Sequence, residues 1–150
     1  MLALAILSFM AAYVVNAARP APLEWTADYR AAVVKSVAKE GLTVLDLPQT
    51  EQAWRAGSRL FVDARDPDDF ASGHIPRAVN LPEEDLATGS SPALAGLAKD
   101  RALLVYCADL SCPKSKDLAQ ALKQMGYANL AVFPGGMEAW KTAGLAVESK

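Results

Sequence analysis

The sequence has one histidine, His74, and two cysteines, Cys107 and Cys112. A single imidazole supplies too few ligands for most metal centres, and an acyl-transfer triad would hang on that one residue. Two thiols are too few for a disulfide scaffold and too widely spaced for a zinc knuckle. An excess of positive charge is also missing, since 15 Lys and Arg stand against 17 Asp and Glu for a net charge of -2. With a pI near 5.4 the chain lacks the basic footprint that phosphate backbones require, so no nucleic-acid partner is expected. Internal repeats and low-complexity tracts are not visible, and Thr88 to Pro92 forms the one obvious loop cluster. What is present is a one-domain length of 150 residues with 52% hydrophobic content. Metal and triad chemistry being set aside, thiol chemistry remains.

From Met1 to Ala18 no side chain is charged. Roughly 18 such residues just span a hydrocarbon layer of ~30 Å, so residues 1–18 read first as a transmembrane anchor or uncleaved signal segment. A cleaved signal peptide and a buried soluble helix are the competing readings. The basic residues that usually open a signal peptide are missing, which favours the anchor. Arg19, Arg30, Lys35 and Lys39 follow the span and favour the cytoplasmic side for the remainder, with the periplasmic or extracytoplasmic side as alternative. Pro20 and Pro22 then break the helix. Residues 19–42 form a linker and a short amphipathic helix, in which Tyr29, Val33 and Val37 repeat at helical spacing up to Gly41. Packing of that helix on the domain is favoured over a place on the membrane surface.

Residues 43–150 change pattern to short apolar runs separated by helical segments. Thr43 to Leu45, Leu60 to Ala64, Ala78 to Leu81, Leu103 to Tyr106 and Leu130 to Phe133 read as strands without clean alternation, as burial on both sheet faces produces. Thr50 to Ala56, Pro82 to Lys99 and Pro113 to Met125 have helical composition, with Gly57 and Gly126 at helix-ending positions. Alternating strand and helix predict an α/β fold with a mostly parallel five-stranded sheet and helices on both faces.

In such a sheet, ligands collect beyond the carboxyl ends of strands. Cys107 sits there, after Leu103-Leu104-Val105-Tyr106 and before a compact segment that Pro113 turns into a helix. If Ala108 to Cys112 curl around the thiol, backbone N–H groups and the helix terminus favour its anionic, nucleophilic form. From placement alone, a reactive thiol and a small buried residue at a strand end both stand.

Asp63-Ala64-Arg65, the acidic-aromatic pair Asp69-Phe70, Gly73-His74-Ile75-Pro76 with Ala78-Val79-Asn80-Leu81-Pro82, and Phe133-Pro134-Gly135-Gly136-Met137-Glu138-Ala139-Trp140 follow one another along the chain. On these motifs the chain resembles, from about Leu45 to Val147, the rhodanese-like sulfurtransferases. The resemblance implies that Cys107 takes a sulfane sulfur from thiosulfate or a persulfide donor, holds it as a persulfide, and passes it to a thiol or cyanide-like acceptor. No metal and no organic cofactor is then required. Ala108, Asp109, Leu110, Ser111, Cys112, Pro113, Lys114 and Ser115 are the implied substrate-binding segment, and Asp63 and Arg65 support it. Arg65 is expected to pair with Asp69, Asp63 to hold a loop through backbone N–H groups, and His74 to be a hydrogen-bonded structural residue. Gly135 and Gly136 allow a tight turn and Trp140 anchors the packing.

The loop departs from the family in offering Asp109, Leu110 and Cys112 where a basic residue often greets the donor; Lys114 and Lys116 are candidates to compensate. Dual-specificity phosphatases share the fold but need an arginine where this chain has Pro113, which argues against phosphatase chemistry. Cys112 has two readings, a redox partner of Cys107 or a small helix-start residue. The leading expectation is a membrane-tethered sulfurtransferase. A thiol-disulfide relay through Cys107 and Cys112, or a non-catalytic membrane-held binding module acting on a membrane or thiol-bearing protein partner, are the alternatives.

Overall fold

The computed structural model describes residues 10, 12–19, 28–87 and 92–149. The chain divides into two compact units, Met1–Ala32 and Val33–Lys150. In the first, residues 12–17 are helical, and most of the expected anchor, residues 1–9 and 11, lies outside the described residues. Among the described residues no helix is long and apolar enough to cross a membrane.

Helix α1, Tyr29–Lys39, begins where the Asp28 carboxylate accepts the Ala31 N–H at 3.1 Å, and it stops at Gly41, whose φ is +67°. Its carboxyl half turns Val33 and Val37 onto the core, so this part packs on the domain. After β1, Thr43–Val44, helix α2, Leu47–Ala56, starts earlier than its composition suggests. Asp46 caps it reciprocally with Gln49: the Asp46 carboxylate accepts the Gln49 N–H at 2.9 Å and the Gln49 side chain accepts the Asp46 N–H at 3.0 Å. Pro48 fits the first turn, where no N–H partner is needed, rather than breaking the helix.

Strand β2, Leu60–Asp63, is followed by the short α3, Pro67–Ser72, then β3, Val79–Asn80. The expected helix from Pro82 to Lys99 is replaced by α4, Glu83–Ala87, and a single 3-10 turn, Pro92–Leu94. A proline at position 92 has no N–H to give and clashes with the preceding turn, which rules out one continuous helix. Residues 88–91, most of the expected loop cluster, lie outside the described residues. Strand β4, Leu103–Tyr106, helix α5, Lys114–Gln124, strand β5, Leu130–Phe133, and helix α6, Gly136–Thr142, complete the domain.

All five strands run parallel in the order β1-β5-β4-β2-β3. Every residue of β4 and β5 is buried, which accounts for their unbroken apolar sequence. Successive side chains point to opposite faces. Val62, Leu103, Val105, Leu130 and Val132 join α1 and α5 in one core. Phe61, Leu104, Tyr106 and Phe133 join Ile75, Met137 and the fully buried Trp140 in the other. The Trp140 indole N–H donates to the Ala146 carbonyl at 2.8 Å, so its polar atom is satisfied. Parallel strands put their carboxyl ends on one rim, and β4 delivers Cys107 there between β5 and β2.

Candidate functional site

Cys107 follows the last residue of β4 and is buried, yet it belongs to neither apolar core. Its cover is the segment that follows it: Cys107 and Cys112 form a disulfide, with their Cα atoms 6.2 Å apart. Ala108, Asp109, Leu110 and Cys112 are half-buried, while Ser111 and Pro113 are exposed. The structure thus joins the two cysteines covalently across the loop. Pro113 stands at the cap of α5 rather than inside it, and Ser115, in the first turn, is buried.

The backbone of this segment is held from below by α6. Met137 N–H donates to the Cys107 carbonyl at 2.9 Å and Glu138 N–H to the Ala108 carbonyl at 2.8 Å. In a planar trans peptide the C=O and the following N–H point in opposite directions, so the Ala108 and Asp109 N–H groups face away from α6 into the loop. Gly136 makes this approach possible. Its φ is +59°, and a Cβ there would lie 2.6 Å from the Cys107 oxygen and 2.8 Å from the Ala108 carbonyl carbon and oxygen. The Gly-Gly signature thus seats the Cys107 backbone as well as turning the chain, a contact that the tight-turn reading does not contain.

Not all of the loop amides serve the sulfur. Ser111 N–H donates to the Asp109 carboxylate at 2.7 Å, and Cys112 N–H donates to the Asp109 carbonyl at 3.2 Å. The Ser111 hydroxyl also donates to that carboxylate. These bonds, the hydroxyl first and the amide next, hold the Asp109 carboxyl below the usual carboxylate range against a small opposing effect of burial. Asp109 is therefore a fixed anion beside the site. Lys114, a candidate to offset that charge, has its Nζ 2.7 Å from Asp66 Oδ1, an ion pair that joins α5 to the start of α3.

Beside Cys107, the carboxyl end of β2 carries a buried ion pair. Arg65 Nη2 is 2.6 Å from Asp63 Oδ2 and its Nε donates to Asp63 Oδ1 at 3.0 Å. The expected Arg65–Asp69 pair is corrected accordingly: the partner is Asp63, two residues back, because the chain folds over as it leaves the strand. Arg65 N–H also donates to Asp63 Oδ1 at 3.0 Å, and Arg65 Nη2 reaches the Gly73 carbonyl at 2.8 Å. The loop that Asp63 holds by a backbone N–H is thus its own strand exit. Burial lowers the Arg65 pKa, but the hydrogen bond to Asp63 and its charge outweigh this and the net shift is upward.

Asn80, which the motif contains but the sequence reading did not assign a role, donates to the Asp63 carbonyl at 3.1 Å and the Arg65 carbonyl at 2.8 Å. Tyr106 accepts the Ile75 N–H at 3.2 Å on its hydroxyl, and burial followed by the charge of Asp63 pushes that phenol far up. It stays neutral at any ordinary pH. His74 is a buried structural residue: Nδ1 lies 2.8 Å from the Phe70 carbonyl and the ring stacks on Phe70. Its backbone pairs with Glu148 in an isolated antiparallel bridge, a partner no motif announces.

A five-stranded parallel sheet with a cysteine at the carboxyl end of its central strand, seated on the last helix and wrapped by a short loop, defines an α/β thiol-site domain. Within that class, the Rhodanese-like domain profile matches residues 46–143, and the chain belongs to the rhodanese-like domain family. The HTH-type transcriptional regulator Rv0324 of Mycobacterium tuberculosis is 33% identical over 93 residues, which cover 62% of this chain and 39% of that protein. This chain therefore spans well under half of that relative. The Rhodanese_3-like domain of Anabaena sp. Alr3790 superposes with a TM-score of 0.52 at 30% identity, covering 60% of this chain and 98% of the other. Human single-domain sulfurtransferase TSTD1 shares the fold at TM-score 0.59 and 21% identity, covering 68% of this chain and 97% of the other.

Proposed function

We propose that this protein is a sulfurtransferase in which reduced Cys107 carries sulfane sulfur as a persulfide. The observation that carries the reading is the seating of Cys107: it directly follows the central strand, its carbonyl is clamped to α6, and its sulfur is covered by the Cys112 loop instead of by core. In the transfer, the Cys107 thiolate attacks the outer sulfur of thiosulfate and sulfite leaves with the electron pair of the broken S–S bond. A nucleophile such as cyanide then attacks the terminal sulfur, leaving as thiocyanate and restoring the thiolate. Loop N–H groups of Ala108 and Asp109 supply dipoles for the anionic sulfur. Asp109 opposes a doubly charged donor, which favours a persulfide donor over free thiosulfate. The substrate segment remains Ala108 to Ser115, with Asp63 and Arg65 as its support.

The disulfide favours a second reading, a dithiol relay. There, a substrate thiolate attacks the Cys107–Cys112 bond, and a second substrate thiol resolves the mixed disulfide, so that two thiols become one disulfide as the protein is reduced. In either reading the uncharged run Met1 to Ala18 supports tethering at a membrane, with residues 19–150 on the cytoplasmic side. Resistance of membrane-bound chain to alkaline extraction, with protease access only from the cytoplasmic face, checks that placement.

Mass spectrometry of the full chain decides the chemistry. After reduction and exposure to thiosulfate or polysulfide, one extra sulfur is expected on Cys107 and is removed by cyanide. Cys112→Ser keeps this reaction and Cys107→Ser abolishes it. Loss of turnover in both variants, with re-formation of the disulfide and no sulfur adduct, selects the relay instead.

A further inference from the structure

At the opposite rim of the sheet from Cys107 lies a cavity of about 130 Å³ lined by Trp54, Pro76, Arg59, Arg77 and Arg101, with Leu60 and Phe61 at its floor. Arg59 immediately precedes β2 and Arg101 lies two residues before β4, whereas Cys107 follows β4. The four residues of that strand alone separate the two ends by roughly 13 Å.

Three arginines line this one space, and among the described residues none has a carboxylate within ion-pairing distance. Two are held in place by the backbone. Arg59 Nη1 donates to the Leu103 carbonyl at 3.2 Å, and Arg77 Nη2 donates to the Trp54 carbonyl at 2.6 Å. The Arg77 guanidinium also lies 5.1 Å over the Trp54 ring. Each guanidinium has five N–H donors, so most of these donors are left for a ligand. Arg59 is half-buried and Arg77 and Arg101 are exposed, so water screens their mutual repulsion while their positive charges leave the cavity suited to an anion.

Arg77 adds an independent sign. Its φ is +69°, the one positive value at a non-glycine residue among the described residues. The Glu148 carboxylate accepts its N–H at 3.1 Å and fixes the turn, leaving the guanidinium aimed at the cavity. Three separate contacts hold Arg77 in that disfavoured backbone conformation and keep its guanidinium at the cavity wall.

We propose that this cavity binds a tetrahedral oxyanion, either inorganic phosphate or the terminal group of a phosphate monoester, as a second site independent of the sulfur chemistry. One water needs roughly 10–15 Å³ of such space, so the cavity admits a five-atom oxyanion with its first waters. Guanidinium forks match two of its oxygens each, and the indole beneath Arg77 reports occupancy.

The test titrates the full reduced chain with phosphate, with glycerol phosphate, and with chloride at matched ionic strength, by calorimetry and tryptophan fluorescence. Saturable binding of phosphate or the ester, absent with chloride, is expected. Tighter binding of the ester identifies a monoester as the ligand, and equal binding identifies the free anion. Arg101→Gln and Arg59→Gln each weaken it about tenfold, Arg101→Lys restores part of it, and Cys107→Ser leaves it intact. Trp54→Phe keeps the calorimetric signal and loses the fluorescence change. A response that chloride matches, no saturation by about 10 mM, or affinity unchanged in both glutamine variants overturns the proposal. Loss of phosphate binding in Cys107→Ser assigns the anion to the sulfur site and also overturns it, whereas failure of sulfur loading leaves it standing.

Discussion

Replacing Gly136 by alanine puts a methyl group 2.6 Å from the Cys107 oxygen and 2.8 Å from the Ala108 carbonyl, both of them backbone atoms that cannot swing aside. The left-handed backbone at φ +59° costs an L residue about 1–2 kcal/mol on its own. Relief of the overlap separates α6 from the loop and breaks the Met137 and Glu138 hydrogen bonds, worth roughly 0.5–1.5 kcal/mol each. The expected total is about 2–5 kcal/mol. Gly144→Ala is the matched control, because its φ of +70° carries the same backbone penalty while nothing lies within 4 Å of the new Cβ. Urea unfolding of the reduced proteins should place Gly136→Ala roughly 1–3 kcal/mol below Gly144→Ala. Sulfur loading of Cys107, followed by cyanide release, should fall only in the Gly136 variant. Equal stabilities, or unchanged loading in Gly136→Ala, would falsify the claim that α6 seats Cys107.

Asp63→Asn strands the buried Arg65 charge and should cost about 3–5 kcal/mol in urea unfolding, far above the effect of removing the exposed Glu51–Arg55 pair, for which ~0–1 kcal/mol is expected. A result below about 1 kcal/mol removes the ion pair from the list of structural supports. Reduction of the wild type opens a disulfide spanning five positions, and the chain-entropy relation gives about 2 kcal/mol of lost stability; Cys112→Ser should show no dependence on reductant. An unmoved unfolding midpoint on reduction means the thiols are not paired in solution. The depressed Asp109 carboxyl contributes order to the loop above its unfolded pKa and loses it as pH falls through the lower folded value. NMR of the Ser111 amide should therefore titrate below the ordinary carboxylate range, and Asp109→Asn should be flat; a midpoint at or above that range contradicts the hydrogen-bonded turn.

The strands were legible because burial on both faces writes itself as uninterrupted apolar runs, and β4 and β5 coincide with Leu103 to Tyr106 and Leu130 to Phe133. The placement of Cys107 followed from the same runs. Helix α3 escaped notice because its six residues offer Phe70 as their sole buried anchor, too few for any period to show. The start of α2 was masked by Pro48, which resembles a break until the Asp46–Gln49 cap is recognised. The Arg65 pairing was misassigned since composition carries no angle: only the bend at the strand exit brings a residue onto its neighbour two positions back. Likewise, spacing alone does not say whether Cys112 reaches Cys107, and the folded loop brings the two sulfurs together.

Neighbours hydrogen-bonded along both flanks of β4 have a mechanical consequence. Sliding or tilting that strand would tear two ladders at once, so Cys107 has a seat that does not travel. Any change in access to its sulfur falls to the few residues after it. In hydrogen exchange, residues 103–106 should belong to the slowest class, while 108–112 answer to the redox state of the solution.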